Sequence, residues 1–165
     1  MNFTLPAIRP TFFLLMAITV AAMGIALVMQ YQMGLAPCPL CVTQRLFVIL
    51  VGVFALLAGV HNPENIGRKI YAALCLLSAI LGGAVASRHI WLQSLPEDMA
   101  PACGPSIGYM LETLPLSETF TVIMMGDGNC AETVWTFLGL SIPQQTLALF
   151  VVLATIAGYQ LIRRD

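Results

Sequence analysis

Charged residues are scarce in this sequence: Asp, Glu, Lys and Arg make up 9% of its 165 residues, where a soluble domain carries roughly a quarter. Hydrophobic residues make up 59%, and the mean hydropathy is +0.88. That imbalance excludes a water-soluble monomer, because the apolar surplus has to face lipid. A glycine-rich nicotinamide fingerprint, a histidine-rich haem site and Cys/His zinc spacing are also missing. Neither a dinucleotide enzyme nor a bound metal is therefore expected. With seven Lys and Arg in all, no nucleic-acid partner is expected either. The chain has no internal repeat and no low-complexity tract, and its length fits one domain.

What is present is a set of long apolar runs, at about Phe12–Met29, Val42–Val60, Ile70–Trp91 and Gln145–Ile162. Each approaches the roughly 20 residues that carry a helix across a bilayer core of about 30 Å. In lipid such runs have to be helical, since every backbone polar group needs an internal partner. The expected fold is an all-α, four-helix transmembrane bundle forming a single domain over residues 1–165. The connections differ. Residues 30–41 make a short loop and His61–Lys69 a short polar one. Residues 93–144 make a loop of about fifty residues, too long for a mere connection. Its middle, Tyr109–Met125, mixes apolar and polar residues and suits a short helix on the membrane surface.

Positive charge sets the expected orientation. Arg9 precedes helix one, Arg68 and Lys69 lie between helices two and three, and Arg163 and Arg164 follow helix four. Five of the seven cations thus fall on one side, which is expected to be cytoplasmic, with both termini inside. The long loop has no Lys or Arg and carries Glu97, Asp98, Glu112, Glu118, Asp127 and Glu132. It and the loop 30–41 are expected outside. Helix one is too long for a signal-peptide core. Leu35-Ala36-Pro37-Cys38 distantly resembles a lipoprotein cleavage site, but the proline argues against processing.

Four of the five cysteines, Cys38, Cys41, Cys103 and Cys130, fall in these outer segments, whereas Cys75 is alone in an apolar run and reads as packing. Pro37-Cys38-Pro39-Leu40-Cys41 stands at the start of helix two. Pro39 suits the first helical position, where its missing N–H costs nothing. Cys38 then sits at the cap and Cys41 in the first turn, where free N–H groups and the positive end of the helix dipole favour a thiolate. A CxxC in that place is redox-active rather than inert.

Arg45 follows Cys41 by four residues, one turn deeper on the same face. An arginine inside the apolar boundary is a functional candidate. It can hold the Cys41 thiolate, polarise an oxygen of a bound electron acceptor, or snorkel to headgroups. At the same depth, helix three ends with Arg88, His89 and Trp91. Trp91 reads as an interfacial anchor and Arg88 as a contact for lipid phosphate. His89 can donate to a quinone carbonyl, relay protons, or be satisfied by backbone.

Cys103 and Cys130 flank the acidic loop. In an oxidising compartment their bond could simply staple the loop, worth very roughly 3–4 kcal/mol. Four cysteines allow three pairings. Beside a CxxC at membrane depth, a second outer pair suggests thiol–disulfide exchange in series. A mobile loop can meet a soluble dithiol protein, and the fixed pair can pass electrons to something dissolved in lipid, for which a quinone fits.

The residues Cys38-Pro39-Leu40-Cys41-Val42-Thr43-Gln44-Arg45, the cysteine pair in the second outer loop and His89 together resemble the disulfide-bond-formation protein B (DsbB) family. Its members are quinone-dependent oxidases of a periplasmic, thioredoxin-like thiol oxidase (DsbA-type) in the bacterial inner membrane. The resemblance covers nearly the whole chain. It implies that the partner attacks Cys103, that Cys130 resolves and exchanges with Cys38, and that Cys41 faces ubiquinone or menaquinone from the membrane pool. Arg45 would tune the quinone ring and His89 would assist beside it. Two variants compete: a relative serving a dedicated partner, and a non-catalytic, disulfide-stapled membrane protein. A reductase of the vitamin K epoxide reductase type is less consistent, because that family places its CxxC late in the bundle.

Overall fold

A computed structural model describes residues 8–96, 112–113, 115, 118, 121, 123, 126, 128–131 and 133–163. Four long helices dominate them: α1 (Ile8–Tyr31), α2 (Pro39–His61), α3 (Asn65–Gln93) and α5 (Ile142–Ile162), with a single-turn helix α4 (Gly128–Ala131) before the last. All four long helices are apolar and long enough to cross a membrane. The chain is therefore an all-α, multi-pass membrane protein. Each helix runs past its apolar run, because ends that leave the hydrocarbon keep their hydrogen bonds while carrying polar residues. Cys103 and most of Tyr109–Met125 lie outside the described residues.

Local chemistry sets the helix ends. Cys38 is extended (φ −71°, ψ 166°) and caps α2, and Pro39 supplies the preset φ of the first turn. The other end of α2 closes on Asn62 in the left-handed region (φ 44°), whose N–H donates to the Ala58 carbonyl at 3.0 Å. Pro63 then prevents continuation. Ser141 caps α5, with its backbone N–H donating to Gln144 Oε1 at 2.8 Å.

The all-α reading did not anticipate a small antiparallel hairpin, β1 (Thr136–Phe137) and β2 (Leu140–Ser141). Thr136 pairs with Ser141 and Phe137 with Leu140, leaving the two-residue turn Leu138-Gly139. Both turn residues have positive φ, 54° and 78°, as the mirror-image hairpin turns require.

In the bundle α3 packs against both α2 and α5, and α1 packs on α2. The core is built from small residues around a few large ones, among them Leu15, Ala55, Ala72, Ala79, Phe150 and Ala157. Between helices in lipid the drive to associate comes from close packing rather than from water, so small residues mark the contacts. At the α3–α5 crossing the Phe150 ring lies so close to Gly82 that a Cβ there would clash with its ring carbons. One position on, a Cβ at Gly83 would meet the Phe150 side chain at an ordinary 3.7 Å. Gly82→Ala is therefore expected to destabilise the bundle by about 1–3 kcal/mol through overpacking. Gly83→Ala should be neutral or slightly stabilising. Thermal unfolding midpoints in detergent check the pair; equal midpoints would contradict the packing account.

Candidate functional site

The site forms where α2 begins, α3 ends and α4 lies across them. The cap-plus-first-turn spacing of Cys38 and Cys41 brings their Sγ atoms to 3.3 Å. Closing to the roughly 2.05 Å of a disulfide takes little more than side-chain rotation. Cys38 is only 9% exposed, and Cys41 is half-buried. Cys130, on α4, is fully buried and packs in one cluster with Cys38, Leu40 and Leu92. Gly126 makes this possible. Its φ of +76° turns the chain where a Cβ would strike Leu92 and Leu40. The Cys130 and Cys38 sulfurs lie within 4.8 Å of one another. Cys38 is thus the shared sulfur, close to Cys41 on one side and Cys130 on the other.

His89 stands at the same point and is buried. Its Nε2 is 3.1 Å from the Cys130 carbonyl oxygen and 3.8 Å from Cys38 Sγ. Its Nδ1 is 3.1 Å from Gln44 Nε2. A carbonyl can only accept, so Nε2 carries the proton and donates it; Nδ1 is then bare and accepts from the Gln44 amide. Gln44, itself buried, therefore fixes the tautomer that aims an N–H at the Cys38–Cys130 gap. Sequence reasoning missed Gln44. Its signal was an uncharged polar residue three positions after Cys41, inside a membrane helix.

Arg45 does not reach Cys41 by hydrogen bond in this arrangement. It turns to α1, where Nη1 donates to Gln30 Oε1 and Nη2 to the Ala26 carbonyl at 3.3 Å. Arg88 is exposed and lies 5.3 Å over the Trp91 ring. Cys75 is far along α3 in the packed core, with its thiol 3.7 Å from the Val51 carbonyl.

Cys41, Gln44, Arg45 and His89 face a cavity whose apolar wall includes Met23 and Met29 of α1. Its volume is about 130 Å³, and it opens on one side to the surroundings. Apolar walls with a few polar groups among them suit a flat, mostly hydrophobic ring bearing oxygens. Cys38 Sγ, Cys130 Sγ and His89 Nε2 are also close enough together to contact one metal ion. With Nε2 donating its proton to a carbonyl, that nitrogen has no lone pair to offer, and disulfide exchange is the chemistry better served.

The model of the family described as "Disulfide bond formation protein DsbB" matches residues 8–160. "Disulfide bond formation protein B" of Saccharophagus degradans is 48% identical over 160 residues, covering 97% of this chain and 96% of the relative. That of Chromohalobacter salexigens is 50% identical over 135 residues, 81% of this chain and 78% of the relative. "Disulfide bond formation protein B 1" of Pseudomonas aeruginosa is 42% identical over 156 residues, 94% and 96% of the two chains.

Proposed function

The chain belongs to the family of disulfide bond formation protein DsbB, a family of disulfide-forming membrane oxidoreductases, and on that premise we propose that it is a quinone-dependent thiol oxidase of the bacterial inner membrane. It reoxidises a periplasmic thioredoxin-like thiol oxidase of the DsbA type, with both termini cytoplasmic and the cysteine loops in the periplasm. The observation that carries this reading is the position of Cys38, within reach of both Cys41 and Cys130 at the rim of an apolar cavity.

The partner's thiolate attacks Cys103 of a Cys103–Cys130 disulfide, and Cys130 leaves as a thiolate. The partner's second thiol then releases Cys103, so the partner leaves oxidised and two electrons and two protons stay behind. Cys130 attacks Cys38 of the Cys38–Cys41 disulfide, and Cys41 leaves as a thiolate. Cys103 attacks Cys130, which closes the loop pair again and frees Cys38. Through this exchange the His89 Nε2–H supports whichever sulfur carries negative charge. A quinone from the membrane pool, ubiquinone or menaquinone, supplies the electron sink, taking two electrons and two protons. Cys41 and Arg45 would hold it, with His89 at the same rim serving the exchange between the cysteine pairs.

The test is turnover of a reduced CxxC thioredoxin-like protein with a soluble ubiquinone analogue, following thiols and quinone absorbance. No turnover, with both cysteine pairs inert, returns the protein to a stapled structural role. Arg45→Ala is expected to raise the apparent KM for the quinone analogue about tenfold, the worth of one charge-assisted hydrogen bond. Gln30→Ala keeps the Arg45 charge and removes the side-chain half of its tie to α1. If it reproduces the full effect, Arg45 acts by holding α1 rather than by meeting quinone. A reporter fused after Asp165 that proves periplasmic would overturn the orientation.

A further inference from the structure

The hairpin Thr136–Ser141 is badly suited to water. Leu138 at its tip is 86% exposed, and Val134, Phe137 and Leu140 are exposed around it. Leu138 also adopts a φ of +54°, in a turn position that Asn or Gly fills at far lower steric cost. A leucine there is unfavourable twice over, by strain and by exposure, unless its side chain has somewhere apolar to go.

We propose that this hairpin inserts its tip into the interfacial region of the bilayer and pins one wall of the cavity from outside. Three observations point to lipid rather than to a soluble partner. First, no charged residue occurs from Thr133 to Ile162, so neither the hairpin nor the helix after it offers a charge for protein recognition. Second, α5 starts directly after β2 and has 21 residues, hence a length of about 31 Å. That only just spans the roughly 30 Å hydrocarbon core, so Ile142 is held at its boundary and the hairpin at headgroup level. Third, β2 runs directly into α5, a membrane-spanning helix whose outward side is apolar, with Val151 and Val152 exposed. The aromatic pair Trp135 and Phe137, stacked with centroids 6.0 Å apart, suits that level of a membrane. Val134 and Trp135 also line the cavity beside Cys38, so the depth of the tip sets where that wall stands.

The experiment uses the full chain in phosphatidylcholine vesicles, with Trp91→Phe leaving Trp135 as the reporter. Leu138→Trp in a Trp91→Phe, Trp135→Phe background reports from the tip itself. Both tryptophans are expected to be quenched by lipids brominated at shallow acyl positions and to be shielded from aqueous iodide. Strong iodide quenching of the tip without bromolipid quenching would overturn the proposal. So would shielding that needs an added soluble dithiol protein. Leu138→Asn gives an opposed prediction, since asparagine relieves the turn. If the tip sits in water, Leu138→Asn leaves the quenching of Trp135 unchanged, which overturns the proposal. If it sits in lipid, the inserted population falls on the order of tenfold with the lost leucine burial, and Trp135 becomes open to iodide.

Discussion

A Cys41→Ser protein is expected to exchange its Cys103–Cys130 bond, before any substrate is added, for a Cys38–Cys130 bond as the Cys38 thiolate attacks Cys130 and Cys103 leaves as a thiolate, and to pass no electrons to quinone. Cys38 Sγ has Cys41 at 3.3 Å and Cys130 within 4.8 Å, so among the described residues it is the sulfur that stands beside both. Without Cys41 the pair at membrane depth cannot close, and the bond to Cys130 has no neighbour to resolve it inward. Quinone reduction should fall at least about a thousandfold, as when a member of an interdependent catalytic set is removed. Cys38→Ser should lose as much activity but form no bond from α2 to Cys130. Cys103→Ser should stop earlier, at attack by the substrate. Peptide mapping under non-reducing conditions distinguishes the three. A Cys41→Ser protein whose trapped bond joins other residues would displace Cys38 from the centre of the scheme.

The four spans were legible because lipid leaves the backbone one economical choice, and hydropathy records it. The CxxC was legible for a local reason too: Pro39 and the free N–H groups of a helix start place Cys38 and Cys41 within one turn. What brings Cys130 to Cys38 is tertiary. The turn at Gly126 and the packing of Leu40 and Leu92 decide it, and no spacing along the chain carries that information. Gln44 has no role legible along the chain, because its partner His89 comes from α3. Arg45 was read against Cys41, its helical neighbour, whereas the shape of the bundle offered it acceptors on α1. The hairpin was hidden for a different reason. Phe137-Leu138-Gly139-Leu140 is as apolar as the span that follows, and a leucine in a left-handed turn has no sequence signature.

His89 faces both candidate roles, and the largest remaining effect separates them. His89→Leu removes the N–H that lies 3.8 Å from Cys38 Sγ and 3.1 Å from the Cys130 carbonyl. Loss of a positioned donor of this kind typically slows a step by about 10²–10⁴-fold. In single-turnover experiments the transfer from the Cys103–Cys130 pair to the Cys38–Cys41 pair is expected to slow by about a hundredfold, the low end of that range, because the substrate binds elsewhere. Quinone reduction by protein whose cysteines have been reduced chemically should change far less. The reverse pattern, normal exchange with slow quinone reduction, would assign His89 to the quinone instead. Gln44→Leu supplies the second half of the test. Gln44 acts through its hydrogen bond to His89, as a positioning residue, so its variant should slow the same step by about tenfold, the worth of one buried hydrogen bond. In the His89→Leu background Gln44→Leu should then add almost nothing, because both changes remove one interaction chain. Additive losses would mean that Gln44 acts on the cavity directly. Gln44→Glu sharpens the point, since a carboxylate accepts where the amide donates and so reverses the polarity demanded of Nδ1. The exchange step should be altered in that variant even though residue volume and burial are almost unchanged.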